Sequence, residues 1–292
     1  MREYLGYILY LIGWKAIAIL PERSAYRLFD RIARFMYSRN GKSIHRLRTN
    51  YSVVRPDMTP HELEGLVLAG AKSYMRYWCD TFRIHRWSPE RISSTVTCKE
   101  DSHLRDPMIA GRGVVVALPH SGNWDHAGAY FCQEGFPLVT VAEVLKPERL
   151  FEKFLEHRTR MGFEVLPLNA RAFVTLTKRA RDKRLLALVA DRDLSSSGID
   201  VQFFGKATRM PAGPALIAMK NGLPLVAAHV RYTDSGIHID FLPIELSTGG
   251  SVEEQLKANV QKIADAFEIG IRSHPEDWHM LQRIWIEDGL YQ

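Results

Sequence analysis

VVVALPHSGNWDHAG, residues 114–128, joins three local signals in one stretch. Val114 to Leu118 is a short unbroken apolar run, which predicts a strand buried on both faces. Ser121, Gly122 and Asn123 form a polar turn, and a helix is predicted from about Asn123. Strand, tight turn and helix in that order predict an α/β architecture.

The flanking sequence repeats the alternation. LVTVAEV (138–144) precedes a helix opening at Pro147, FEVLPL (163–168) leads into a helix over 170–183, and RLLALVAD (184–191) ends in a polar loop. VQFF (201–204) is followed by a short helix over 211–221 that Gly222 stops. PLVAAHVRY (224–232) and IHIDFLP (237–243) predict a hairpin around Asp234-Ser235-Gly236. Ser251 and Glu254 form a capping box for a last helix reaching about Ser273. Upstream, residues 59–86 predict a helix with Leu63, Leu66, Val67 and Ala71 on one face. The fold class expected is therefore α/β, a mixed central sheet flanked by helices. A helical segment (1–89) precedes an α/β catalytic region (90–292), the two forming one compact domain.

With 292 residues, 46% hydrophobic and 25% charged, the chain can bury a sizeable core and is not compositionally disordered. Its net charge of +6 is concentrated: residues 1–55 hold eleven Lys/Arg against Glu3, Glu22 and Asp30, a local balance of +8. Such an end suits an anionic surface. No nucleic-acid reader motif accompanies it, so phospholipid head groups are the expected partner. Residues 4–20, YLGYILYLIGWKAIAIL, fall short of a spanning helix and contain Lys15. Residues 4–34 fit two arrangements equally. In one, Tyr7, Tyr10 and Trp14 line a stripe at the membrane–water interface, followed by Arg23, Arg27, Arg31 and Arg34. In the other, a core helix precedes a solvated basic one. Cys79, Cys98 and Cys132 make neither a CxxC nor an even set, as expected of buried thiols in a reducing compartment.

His120 closes the central strand and Asp125 follows five residues later. The spacing alone is weak, because His229 and Asp234 repeat it inside the predicted hairpin. The setting is what distinguishes His120. Catalytic groups of α/β sheets gather beyond the carboxyl ends of strands, where an imidazole fixed by a carboxylate can take a proton from a hydroxyl. Asp125 suits either that carboxylate or a brace of the turn through backbone amides at the helix start, and Asp191, which ends another strand, suits an ion pair at the strand end or an approach to the ring across the sheet. Arg158 and Arg209 suit phosphates or ion pairs, and RMPAGPA (209–215) suits a rigid helix entry or a ligand loop. No Walker loop, GxGxxG or metal-spaced His/Cys cluster occurs, so neither nucleotide hydrolysis nor a metal is expected. No GxSxG setting calls for an acyl-enzyme.

LPHSGNWD resembles the HxxxxD signature of glycerolipid-type acyltransferases. With VAEVLKPERLF (141–151), RMGFEVLPL (160–168), DRDLSSSG (191–198) and FFGKATRMPAGPA (203–215), the chain is similar to the branch holding lipid A late acyltransferases and, more closely, actinobacterial phosphatidylinositol mannoside acyltransferases. The resemblance implies transfer of an acyl chain, typically palmitoyl, from acyl-CoA as substrate, with no cofactor, to a mannose hydroxyl of a phosphoinositide glycolipid. It implies His120 as base and Asp191 as its paired carboxylate, at a position where relatives carry Glu. It further implies pocket-shaping roles for Glu143 and Arg158 and a donor contact for Ser197, with Arg192 beside them. It implies residence on the cytoplasmic face of a bacterial plasma membrane, bound peripherally. The competing readings are a lipid A-type enzyme using an acyl carrier protein, and a non-catalytic peripheral lipid-binding protein that would tolerate loss of His120.

Overall fold

The computed structural model describes residues 2–144, 148–169, 171–193 and 197–288. Four helices come first: α1 (Arg2–Ile19), α2 (Glu22–Arg39), α3 (Lys42–Val54) and α4 (Pro60–Arg83). Thr59 and Glu62 cap α4 reciprocally, and a 3-10 turn extends it to Arg86, the end expected from the sequence. Then follow α5 (Pro89–Ser94), β1 (Val96–Lys99), α6 (Ser102–Ile109), β2 (Val114–Leu118), α7 (Trp124–Gln133) and β3 (Leu138–Ala142). Next come α8 (Glu148–Arg160), β4 (Glu164–Pro167), α9 (Ala172–Arg181) and β5 (Leu185–Val189). The chain closes with β6 (Ile199–Phe203), β7 (Lys206–Met210), α10 (Gly213–Asn221), β8 (Leu225–Tyr232), β9 (Ile237–Ile244) and α11 (Val252–Ser273). Pro147, the predicted opening of α8, lies outside the described residues.

The main sheet has the order β1-β9-β8-β2-β5-β3-β4. Neighbours run parallel except for the β8–β9 hairpin, so the sheet is mixed, as the sequence predicts. VQFF does not join it; β6 pairs with β7 in a separate antiparallel ribbon. β2 lies in the middle with all five residues buried. Val115 and Ala117 point into one apolar cluster, shared with α1–α4, α10 and α11. Val114, Val116 and Leu118 point into the other, beneath α6 and α7. This two-sided burial is why the strand reads as an unbroken apolar run instead of an alternating one.

The helical N-terminus packs into the core. Trp14 is buried, its indole Nε1 donates to Phe82 O at 3.1 Å, and its ring meets Phe82 and Phe154. Tyr10 packs on the same rings. Of the two arrangements the sequence leaves open, Tyr10 and Trp14 follow the core one: both face inward, because α4 and α8 offer an aromatic wall that α1 covers. The Tyr7 side chain lies outside the described part. Among the described residues no helix is long and apolar enough to cross a membrane. The outward apolar side chains are instead Ile12 and Ile19 on α1 and Leu28, Ile32 and Phe35 on α2, interleaved with exposed Arg27, Arg31 and Arg39.

Candidate active site

β2, β5 and β3 present their carboxyl ends at one edge of the sheet, and His120, Asp191 and Glu143 each lie just beyond one of them. The chain leaves β2 for β3 on one side and returns in β8 on the other, and such a divergence opens a crevice at the strand ends.

Asp191 is fully buried and its two oxygens are divided between tasks. Oδ1 lies 2.6 Å from His120 Nδ1. Oδ2 accepts from the His120 backbone N–H and from the Trp278 indole, each at 2.9 Å. An ionised carboxylate only accepts, so the His120 proton sits on Nδ1 and Nε2 keeps its lone pair, on a side chain 34% exposed. Burial alone would raise the Asp191 carboxyl. Electrostatic attraction to the His120 ring, the His120 donors and the Trp278 donor outweigh it and hold the group below the ordinary carboxylate range.

Asp125 lies on the first turn of α7 and is also buried, but its carboxylate serves another partner. Oδ1 accepts from Arg158 Nε at 2.8 Å, and Oδ2 accepts from Tyr77 Oη at 3.0 Å. The backbone cap expected of Asp125 is supplied by Asn123, whose Oδ1 accepts from His126 N at 2.9 Å. Asp125 therefore ties α7 to α8 and α4, and of the two carboxylates only Asp191 holds the imidazole. Gly122 sets the turn between them. Its φ of +55° and the approach of Val230 O, 2.5 Å from where a Cβ would stand, leave room for no side chain.

The other predicted residues divide. Arg192 lies 3.6 Å from Glu143 across the ends of β5 and β3, so this pair stands at the edge shared by His120. Arg209, on β7, bonds Asp200 at 2.7 Å, and its carbonyl accepts from Asp193 N at 2.9 Å, fastening the loop after β5 to the ribbon. Ser197 is exposed beyond that loop. His229 is a core residue of β8, packed against Gly270 of α11, so its matched spacing to Asp234 carries no site.

Trp278, Asp277 and His279 went unread in the sequence. PEDWHML (275–281) grips the site from three consecutive positions. Asp277 O accepts from Gly122 N at 2.9 Å, Trp278 holds Asp191, and His279 N donates to His120 O at 2.7 Å. The segment is anchored in turn by the N-terminal helices: Tyr51 Oη donates to Trp278 O at 3.0 Å, and Ser73 Oγ lies 2.5 Å from Asp277 and 2.8 Å from His279 Nε2. No periodicity marks such an irregular strap; its one sequence signal is an aromatic-histidine pair directly after a helix end.

Beside this edge a narrow apolar cavity of about 70 Å³ runs between α7 and the sheet. It passes from Trp124 and Asp125 toward Phe131, over Leu118 and Val116, with Phe163 packed on Gly128 at its side. Among the described residues no His/Cys/Asp/Glu group could hold a metal ion.

The carboxylate-held imidazole of His120 meets Trp124 edge-on, ring centroids 5.6 Å apart, and Trp124 in turn lines the apolar cavity. The chain belongs to the bacterial lipid A biosynthesis acyltransferase family, whose model matches residues 1–287. Within that class it is similar to the phosphatidylinositol mannoside acyltransferase of Mycolicibacterium smegmatis, 41% identical over 282 residues that cover 96% of this chain and 91% of the relative. The enzyme of that name from Mycobacterium tuberculosis is 38% identical over 286 residues, covering 96% and 88%.

Proposed function

We propose that this acyltransferase moves a long-chain acyl group, palmitoyl above all, from acyl-CoA to a mannose hydroxyl of a phosphatidylinositol mannoside. The observation that carries the chemistry is the 2.6 Å contact between His120 Nδ1 and Asp191. The names of the relatives support the acceptor, and the slot under α7 supports an alkyl chain, each buried methylene contributing about 0.8 kcal/mol.

His120 Nε2 takes the proton of the acceptor hydroxyl as its oxygen attacks the thioester carbonyl. The imidazolium that forms is favoured by Asp191. The tetrahedral oxyanion collapses by breaking the C–S bond, and the thiolate leaving group recovers the proton from His120. In the HSGN turn three amides are already bonded, His120 N to Asp191 Oδ2, Ser121 N to Pro119 O and Gly122 N to Asp277 O, so the oxyanion is left to amides at the start of α7. Arg192 and Glu143 stand where they would order the donor or the sugar, and Arg158 fixes the wall through Asp125. Outward Leu28, Ile32 and Phe35, with their arginine neighbours, would seat the protein on an anionic membrane surface.

Purified protein incubated with phosphatidylinositol mannoside and either palmitoyl-CoA or palmitoyl-acyl carrier protein tests the donor and acceptor together. Product mass should rise by one palmitoyl group with the CoA donor. Product from the carrier protein alone would move the reading to the lipid A-type donor.

A further inference from the structure

A second cavity lies on the far side of α8 from Asp125, between α1, the 3-10 turn after α4 and α8, with a volume of about 440 Å³. Its rim is cationic: Lys15, Arg86, Lys153 and Arg160 meet there with a single acid, Glu156. Glu156 pairs with Lys153 and Arg160, while Lys15 and Arg86 have no ion-pair partner among the described residues. Lys15 is the residue that interrupts the apolar run of α1, and its place on this rim gives that interruption a physical reason.

Two imidazoles line the groove, His157 buried and His85 exposed. His157 lines the cavity, is 5% exposed, and its Nε2 has no hydrogen-bond partner. Burial, His85 and the neighbouring cations push it down to about 4, against the pull of Asp125. His85 is lowered by burial and then by Arg86, Arg160 and Lys153. For both rings burial is the main cause, and the cations around the groove add to it. The walls are apolar, with Leu11 and Ile19 from α1, and Ile12 stands exposed one turn from Lys15.

We propose that this groove is a binding site for the phosphate-bearing head group of an anionic phospholipid, the phosphate lying among Lys15, Arg86 and His157 and the glycerol end running along Leu11 and Ile19. Charge complementarity selects an anion, and a cationic rim over an apolar floor selects an amphiphile over a free phosphate. The site rests on the membrane-surface part of the proposed function and is independent of the transfer chemistry. His157 faces this groove while the next residue, Arg158, bonds Asp125, so α8 separates the two sites by one side chain.

The test is a titration of the full-length protein with dihexanoyl phosphatidylglycerol below its micelle concentration, following the imidazole resonances of His85 and His157. Both signals should shift saturably, and their titration midpoints should rise as the anion offsets the local cations. Inorganic phosphate and dihexanoyl phosphatidylcholine should each bind at least about tenfold more weakly. Lys15→Gln and Arg86→Gln, both at exposed positions, should each weaken binding about fivefold, as expected for one cation near an anionic head group. Unmoved imidazole signals, unchanged affinity in both variants, or inorganic phosphate binding as tightly as the lipid would overturn the proposal. Because binding is read without turnover, failure of the acyl-transfer reading leaves this result standing, and the reverse also holds.

Discussion

Asp191 reaches His120 from a neighbouring strand end, and one of its carboxylate oxygens takes the imidazole while the other takes the His120 amide. Backbone and ring of the same histidine are thus held by one buried carboxylate, whereas Asp125, nearer in sequence, is spent on Arg158 and Tyr77.

That division separates two substitutions. Asp191→Asn places an amide donor against the Nδ1 proton and favours the wrong tautomer, so kcat should fall by roughly 10³–10⁴. Asp125→Asn removes the buried carboxylate that pairs with the half-buried Arg158 guanidinium, a defect costing on the order of 3 kcal/mol, so its main signature should be a lowered Tm. Melting curves beside single-turnover rates decide it. An active Asp191→Asn protein with a stable, inactive Asp125→Asn protein would reverse the roles.

Trp278 is a positioning residue: fully buried, it acts through Asp191, to which its indole donates. Trp278→Phe should cut kcat about tenfold, with KM within about twofold, because one charge-assisted hydrogen bond of roughly 1.5–3 kcal/mol is lost. The Asp191 carboxyl, having lost a donor, should titrate at higher pH, read from its ¹³C resonance. A purely structural role would lower Tm while leaving that resonance where it was.

His126, His157 and His229 are each pushed down to about 4, and His279 to about 3, in every case chiefly by burial. Folded, these rings stay neutral as pH falls, while in the unfolded chain they take up protons near 6.5. The unfolded state then binds more protons, so stability should decline as pH drops from about 6.5 toward 4. Urea midpoints across that range measure the slope. His229→Leu should flatten it by about one proton, and an unchanged slope would mean that His229 is protonated in the folded protein.

Much of this could be read from the chain. An apolar run ending in a polar turn announced β2 and the edge at which His120 sits, because a doubly buried strand leaves a continuous signature. The hairpin and the final helix carried turn and capping residues that specify their ends locally. The strap at 275–281 was not legible, since its contacts with Tyr51, Ser73, Gly122 and Asp191 are all tertiary and no spacing encodes them. Trp14 was undecided for the opposite reason: an aromatic stripe looks alike whether lipid or Phe82 and Phe154 cover it.

The outer face of α2 gives a membrane prediction without touching the core. Phe35 is 63% exposed, so Phe35→Ser combined with Ile32→Ser should leave Tm nearly unchanged. Sedimentation with anionic vesicles should show weaker binding, further reduced by salt. Equal binding of wild type and variant would remove α2 from the membrane contact.

The most direct measurement of the central claim is the single-turnover rate of palmitoyl transfer to phosphatidylinositol mannoside by His120→Ala beside His229→Ala, each corrected for its folded fraction. His120→Ala removes the base and should lose about 10²–10⁴-fold. His229→Ala opens a cavity in the core and should lower Tm while the folded protein turns over at close to the wild-type rate. A folded His120→Ala protein transferring at the wild-type rate, or equal losses in the two variants, would contradict His120 as the base.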